Sequence, residues 1–164
     1  MPRVIPLEER IVYLGIDPGK SGGMVALCGD GVRTQHLSGT LHQLWGWLSE
    51  YPKAGFTTHA VLERVGGYVG GNPTPGSAMF NFGACYGHLE MALVAAGIPF
   101  DRVTPAVWQR AMGVPPRNGA TKAEHKRKLK ARAEELFPSV KVTLATADAI
   151  LLAEFCRRKR TGTL

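Results

Sequence analysis

The 164 residues suffice for a single domain with one substantial core, and 45% hydrophobic content with a mean hydropathy of −0.05 describes an ordinary soluble globule. Lys and Arg number 20 against 13 Asp and Glu, and the resulting +7 charge and pI near 9.6 favour a polyanionic partner, because neutralised phosphates release condensed counterions. Three cysteines without Cys-x-x-Cys spacing (Cys28, Cys85, Cys156) exclude a zinc or disulfide framework, and the absence of a signal-like apolar core or a run near 18 apolar residues excludes a membrane span, so a cytoplasmic protein with reduced, mostly buried thiols is expected.

Residues 11–16 (IVYLGI) form a continuous apolar run, the pattern of a buried central strand. Two more strands, 22–28 and 31–37, follow through glycine turns and complete a three-stranded meander. Over 40–50, Leu41, Leu44, Trp45 and Leu48 recur at helical spacing, with Pro52 expected to end the helix. Residues 59–65 read as a fourth strand ending at Glu63. The stretch 66–77 packs five glycines and two prolines into twelve residues and reads as a mobile loop. A long helix is expected over 78–96, with Phe82, Tyr86, Leu89 and Leu93 on one stripe, then a strand over 98–103. Thr104 and Pro105 open a short helix as N-cap and first-turn proline. The basic loop GVPPRNGA leads to a helix from about Thr121, and a last helix runs from about Thr146 into the tail RRKR. The order βββαβαβαα predicts an α/β fold, a mixed sheet with helices on both faces, in one domain spanning 1–164.

Three acids stand at the ends of these elements. Asp17 follows the first apolar run and enters a glycine turn, Glu63 closes the fourth strand, and Asp148 lies at the start of the last helix. A carboxylate at the end of a buried strand is costly unless it is paired or holds a metal. If strands one and four are central neighbours, Asp17 and Glu63 lie side by side, and Asp148 leans over them from a helix packed across the sheet. Hard oxygen donors at one point suit Mg²⁺ or Mn²⁺, and two such ions about 4 Å apart can ready a water and stabilise the leaving oxygen of a phosphodiester. A nucleotide-binding reading of GKS at 19–21 fails, because three residues rather than four separate Gly15 from Gly19 and a strand follows instead of a helix.

GIDPGKSGG after one strand, LERV after another and ADAILLAEF on the last helix resemble the RuvC-type Holliday junction resolvases, RNase H-like nucleases that cut four-way DNA junctions as homodimers. The resemblance runs from about residue 10 to 158, and GIPFDRVTPAVW is especially similar to phage and plastid members. It implies a five-stranded RNase H-like sheet and a magnesium- or manganese-dependent endonuclease of DNA recombination and repair. That enzyme would act on four-way junction DNA as a homodimer, with no small-molecule cofactor and no membrane partner. Asp17, Glu63 and Asp148 map onto its metal-binding catalytic acids. Lys122 shares the azimuth of Leu129 and Ala133, so it is expected to start its helix on the buried side. By the resemblance it is a catalytic lysine at the scissile phosphate.

The family often carries a second lysine where Trp108 stands; Arg110 is the substitute, and Trp108 is expected in the core or as a packing lid. An aromatic that wedges into the junction centre is expected at Tyr68, with Phe80 as the alternative. Arg64, Arg117 and Lys126 complete the candidate DNA contacts. Gly83 and Gly87 on the long helix fit either packing on the sheet or helix contact in a dimer. The pattern departs from the family at Ala145, where a fourth acid or a histidine is usual one helical turn before Asp148. Two explanations follow: a site that works with three acids, or a chain inactivated by an Asp→Ala exchange, since LATADA looks like LDTADA without its acid. The second is favoured. A junction-binding protein without catalysis and an RNase H-like RNA-processing nuclease are the competing functions.

Overall fold

The computed structural model describes residues 10–19, 21–29, 31–64 and 76–164. Strands β1 (Ile11–Ile16), β2 (Gly23–Cys28), β3 (Gly31–His36), β4 (Thr57–Glu63) and β5 (Phe100–Val103) form one mixed sheet in the order β3-β2-β1-β4-β5. The β1–β2–β3 meander is antiparallel, whereas β4 and β5 add in parallel beyond β1. Between them run helices α1 (Leu41–Lys53) and α2 (Gly76–Ala95), followed by α3 (Pro105–Ala111), α4 (Lys122–Leu136) and α5 (Ala147–Thr161). The expected α/β architecture is therefore the one observed.

Strand alternation divides the core in two. Val12, Leu14 and Ile16 of β1 point with Met24, Ala26, Ala60 and Leu62 towards α1 and α2, against Trp47, Leu48, Leu89 and Leu93. Val25, Leu27 and Val61 point the other way, against Trp108, Leu129 and the buried length of α5. Every residue of α5 from Ala147 to Cys156 is buried, so this helix is sandwiched between the sheet and α3 and α4.

Gly15 explains how closely α5 lies on β1. A Cβ at this position would stand 2.2 Å from the carbonyl oxygen of Ala149 and 2.2 Å from the backbone nitrogen of Ala153. Only glycine lets helix backbone rest directly on strand backbone here. The small residues Ala147, Ala149 and Ala153 supply the other side of that contact.

Element bounds differ from expectation mainly at the ends. Helix α1 runs to Lys53 with Pro52 inside it, because a proline in the last turn forfeits a single backbone donor and the chain closes through Ala54, whose N–H reaches the carbonyl of Glu50. Its buried face is Trp47, Leu48 and Tyr51, whereas Leu41 at its first position is 57% exposed. Leu89 and Leu93 of α2 are buried as the spacing predicts, while Phe82 and Tyr86 are half-buried. Of the thiols only Cys156 is fully buried; Cys28 and Cys85 are half-buried. The glycine-rich segment from 65 to 75, with Tyr68, lies outside the described residues.

Candidate active site

The parallel register of β1 and β4 fixes the first two acids. Ile16 pairs with Leu62, so Asp17 and Glu63, each the next residue, emerge at the same end of adjacent strands. Asp17 is held by the turn it opens: its backbone N–H donates to the carbonyl of Gly23, and its Oδ1 accepts the Gly19 N–H at 3.1 Å. A Cβ on Gly22 would stand 2.1 Å from the Asp17 carbonyl oxygen, so that turn also demands glycine.

The third acid arrives on α5. Thr143 and Thr146 start the helical turn reciprocally: Thr146 donates its N–H to Thr143 Oγ1 (3.2 Å), and Thr143 donates its own to Thr146 Oγ1 (3.0 Å). The backbone N–H of Ala147 already reaches the Thr143 carbonyl, so Ala145 sits within this opening turn, one turn before Asp148. Asp148 is buried. Its Oδ2 forms an ion pair with Lys126 Nζ, and its Oδ1 is buried without a hydrogen-bond partner.

Burial and mutual repulsion shape the ionisation of these acids. Burial raises the Asp17 pKa, the Gly19 N–H partly offsets this, Asp148 raises it further, and Lys126 lowers it. Glu63 is pushed up to about 7, first by burial and then by repulsion from Asp17, with Asp148 adding to it; a hydrogen bond from Trp108 and the Lys126 charge pull the other way. Burial alone would lower the Lys126 pKa, but Asp148, and after it Asp17 and Glu63, raise it overall. Three carboxylates thus share one field with one ammonium group.

Hard oxygen donors, an excess of negative charge and an orphaned Asp148 oxygen fit a divalent cation of the Mg²⁺ or Mn²⁺ class. Among the described residues, no group of three or more His, Cys, Asp or Glu side chains stands arranged to hold a metal ion. Lys126 supplies the cationic charge beside these acids in this structure.

Two lysines compete for the inward position on α4, and the structure chooses differently from the expectation. Lys122 is exposed at the first position of the helix rather than on its buried side. Lys126, three residues before Leu129 and seven before Ala133, lies on the same stripe and meets Asp148. Azimuth is nearly equal for both; distance along the axis, about 6 Å for four residues, decides which reaches the acids. The capping box of Thr121 and Glu124 places Lys122 in the solvent-facing first turn.

Trp108 is fully buried, as a core residue should be, and its indole Nε1 also donates to Glu63 Oε2 at 2.7 Å. Neither the Lys126 ion pair nor this bond was assigned from sequence; the only available signal was the i+3 and i+7 spacing of Lys126 to the buried residues. Beside them Gln109 and His125 are hydrogen-bonded at 3.0 Å.

Of the candidate DNA contacts, Lys126 is instead paired with Asp148 inside the acid cluster, whereas Arg64, Phe80, Arg110 and Arg117 are exposed. Arg64 is exposed directly after Glu63, with its backbone N–H on the Val103 carbonyl. Phe80 is 75% exposed on α2, and Arg110 is exposed in the last turn of α3. Arg117 is exposed and lines a cavity of about 520 Å³ with Val114, Asn118, His125, Lys128 and Arg132. No helix among the described residues is long and apolar enough to cross a membrane.

No family model and no curated protein matches this chain. Among solved structures it is similar to Thermus thermophilus RuvC, at 20% identity and a TM-score of 0.57 over 93% of this chain and 97% of that one. It is also similar to T. thermophilus RuvC in complex with Holliday junction substrate, at 16% identity and a TM-score of 0.60 with the same coverage. The likeness establishes a shared fold, a five-stranded mixed sheet with helices on both faces.

Proposed function

We propose that this chain is a divalent-metal-dependent endonuclease that resolves four-way DNA junctions by hydrolysing one phosphodiester per subunit. One observation carries the reading: on a fold shared with RuvC, the β1–β4 register and the α5 helix seated on Gly15 bring Asp17, Glu63 and Asp148 within mutual repulsion at one end of the sheet. The +7 charge suits the polyanionic substrate.

In this reading Asp17, Glu63 and Asp148 hold Mg²⁺ or Mn²⁺. When bound, the cation supplies positive charge against the charge growing on the phosphate oxygens and the acidity that readies a water for attack. The protein's own contribution is to hold the acids in place and keep water from their buried sides. Lys126 neutralises part of the acid charge until a cation is bound, and Lys122, exposed one turn earlier, contacts a phosphate of the strand. Arg64, Arg110 and Arg117 contact the junction backbone, and Tyr68 or Phe80 wedges its centre. Hydrolysis leaves a 5′-phosphate and a 3′-hydroxyl.

Two cuts on a two-fold substrate call for a homodimer. The exposed apolar residues of α2, Met91 at 59% and Val94 at 60%, with open space around Gly83 and Gly87, support a face that a second copy covers.

Ala145 favours a second reading, a protein that binds junctions without cutting them, because an alanine within the opening turn of α5 cannot ligate a cation. Incubating a labelled four-way junction with the chain and with Ala145→Asp, in Mg²⁺ and in Mn²⁺, separates the readings. Cleavage by both supports a sufficient three-acid site, cleavage by Ala145→Asp alone an impaired one, and cleavage by neither the pure binder. Asp17→Asn in the active background should abolish cutting and retain junction binding; loss of both together would instead indicate misfolding.

A further inference from the structure

We infer that Trp108 is a positioning residue for Glu63: its buried indole N–H holds one carboxylate oxygen so that the other is presented to the cation. The inference rests on the reading of Glu63 as a cation-holding acid and extends it to a residue that touches neither metal nor DNA. The two residues are 45 apart in sequence, yet the indole Nε1 lies 2.7 Å from Glu63 Oε2.

Local geometry brings them together. Glu63 is the last residue of β4 and pairs in register with Val103, the last of β5. The backbone N–H of Arg64 continues that ladder to the Val103 carbonyl at 2.7 Å, so the end of β4 is held against the end of β5. The chain then enters α3 at Thr104, and Trp108 lies one turn in, its N–H directed to the Thr104 carbonyl. A helical side chain leans back towards the helix N-terminus, so the indole from this position returns over the strand ends. The ring is fully buried within a cluster that includes Val61, Val103, Met112 and Leu129, which leaves it little freedom to turn.

The chemistry of the donor matters as much as its place. A buried indole N–H must find an acceptor, and a backbone carbonyl would serve for packing alone. Here the acceptor is a candidate ligand. An indole donates one hydrogen bond, accepts none and carries no charge at any relevant pH. It therefore fixes one oxygen of Glu63 without neutralising the carboxylate, and the negative charge remains for the cation. A lysine in its place would compete as a counterion. Donors behind a ligand set its orientation, and their removal typically weakens metal binding about 10–100-fold.

The test uses the full chain labelled with ¹⁵N at its tryptophans, with Mg²⁺ alone as the probe. The Trp108 indole resonance is assigned by elimination with Trp45→Phe and Trp47→Phe. In the unmodified chain it should shift saturably with Mg²⁺, and Glu63→Gln should move it upfield as its acceptor loses charge. In Trp108→Phe the Mg²⁺ half-saturation measured by calorimetry should rise about 10–100-fold, with metal-free junction affinity unchanged. An unchanged half-saturation in Trp108→Phe overturns the positioning role and leaves the proposed function intact. If the unmodified chain shows no response to Mg²⁺, both fall together. Should Trp108→Phe fail to fold, the Glu63→Gln spectrum decides, since an unmoved Trp108 resonance refutes the bond.

Discussion

Replacing Gly15 by alanine tests the contact on which the site is built. The added methyl would stand 2.2 Å from two backbone atoms of α5 and 2.8 Å from a third, the carbonyl carbon of Leu152, where real Cβ atoms approach no closer than 3.0 Å. None of these atoms belongs to a flexible side chain, so α5 itself must retreat, by about 1 Å or more to reach ordinary contact distance. Overpacking of this kind costs about 1–3 kcal/mol, and a backbone-to-backbone clash lies at or beyond the upper end. At about 3 kcal/mol the melting temperature of a chain this size falls by roughly 6–12 °C. Since Asp148 rides on α5 and Asp17 follows β1, the same retreat separates the acids and should depress Mg²⁺ affinity and cleavage beyond what lost stability explains. Urea denaturation at pH 7 measures the first effect, as a lower midpoint with unchanged slope. Gly46→Ala in the middle of α1, with nothing within 4 Å of its Cβ, is the control and should be neutral or stabilising. If Gly15→Ala unfolds within about 0.5 kcal/mol of the unmodified chain, the helix does not rest on the strand as described, and the derivation of the site from that contact fails.

Glu63→Gln should change stability in a pH-dependent way. The folded chain holds the Glu63 proton up to about 7 against an ordinary 4.5, so the protonated group favours folding at low pH and that contribution is lost as pH rises from 4.5 through 7, by at most about 3 kcal/mol. Unfolding midpoints should therefore show Glu63→Gln gaining on the unmodified chain across this window; a constant difference between the two curves would count against the buried, repelled carboxylate. Lys126→Met removes the only ammonium paired with Asp148 among the described residues and should cost about 1–2 kcal/mol in metal-free buffer, a figure discounted because the lysine is 33% exposed. Added Mg²⁺ should stabilise this variant more than it stabilises the unmodified chain in a thermal melt, and an equal gain would deny that lysine and cation answer the same charge.

Much of the fold is legible without coordinates, for definite reasons. An apolar run ended by an acid and a glycine turn can hardly be anything other than a buried strand with its carboxylate at the rim, so Asp17 and Glu63 are found at strand ends. The helical spacing of Leu129 and Ala133 marks α4, and the acid at the head of an apolar helix marks Asp148. These features are local; each follows from backbone propensity and from the period with which apolar residues recur.

Tertiary structure alone decides the remainder. Lys122 and Lys126 have almost the same azimuth on α4, and only the offset of that helix along α5 selects Lys126 as the partner of Asp148. Trp108 reads as core from its sequence and is core, yet its single polar atom finds Glu63 because Val103 and Glu63 happen to be paired strand ends. Gly15 looks like any glycine in a strand until α5 is laid across it. Sequence periodicity fixes which way a side chain faces within its own element. How far elements slide along one another depends on packing of all of them at once, and that sliding, measured in single ångströms, determines which charges and donors meet.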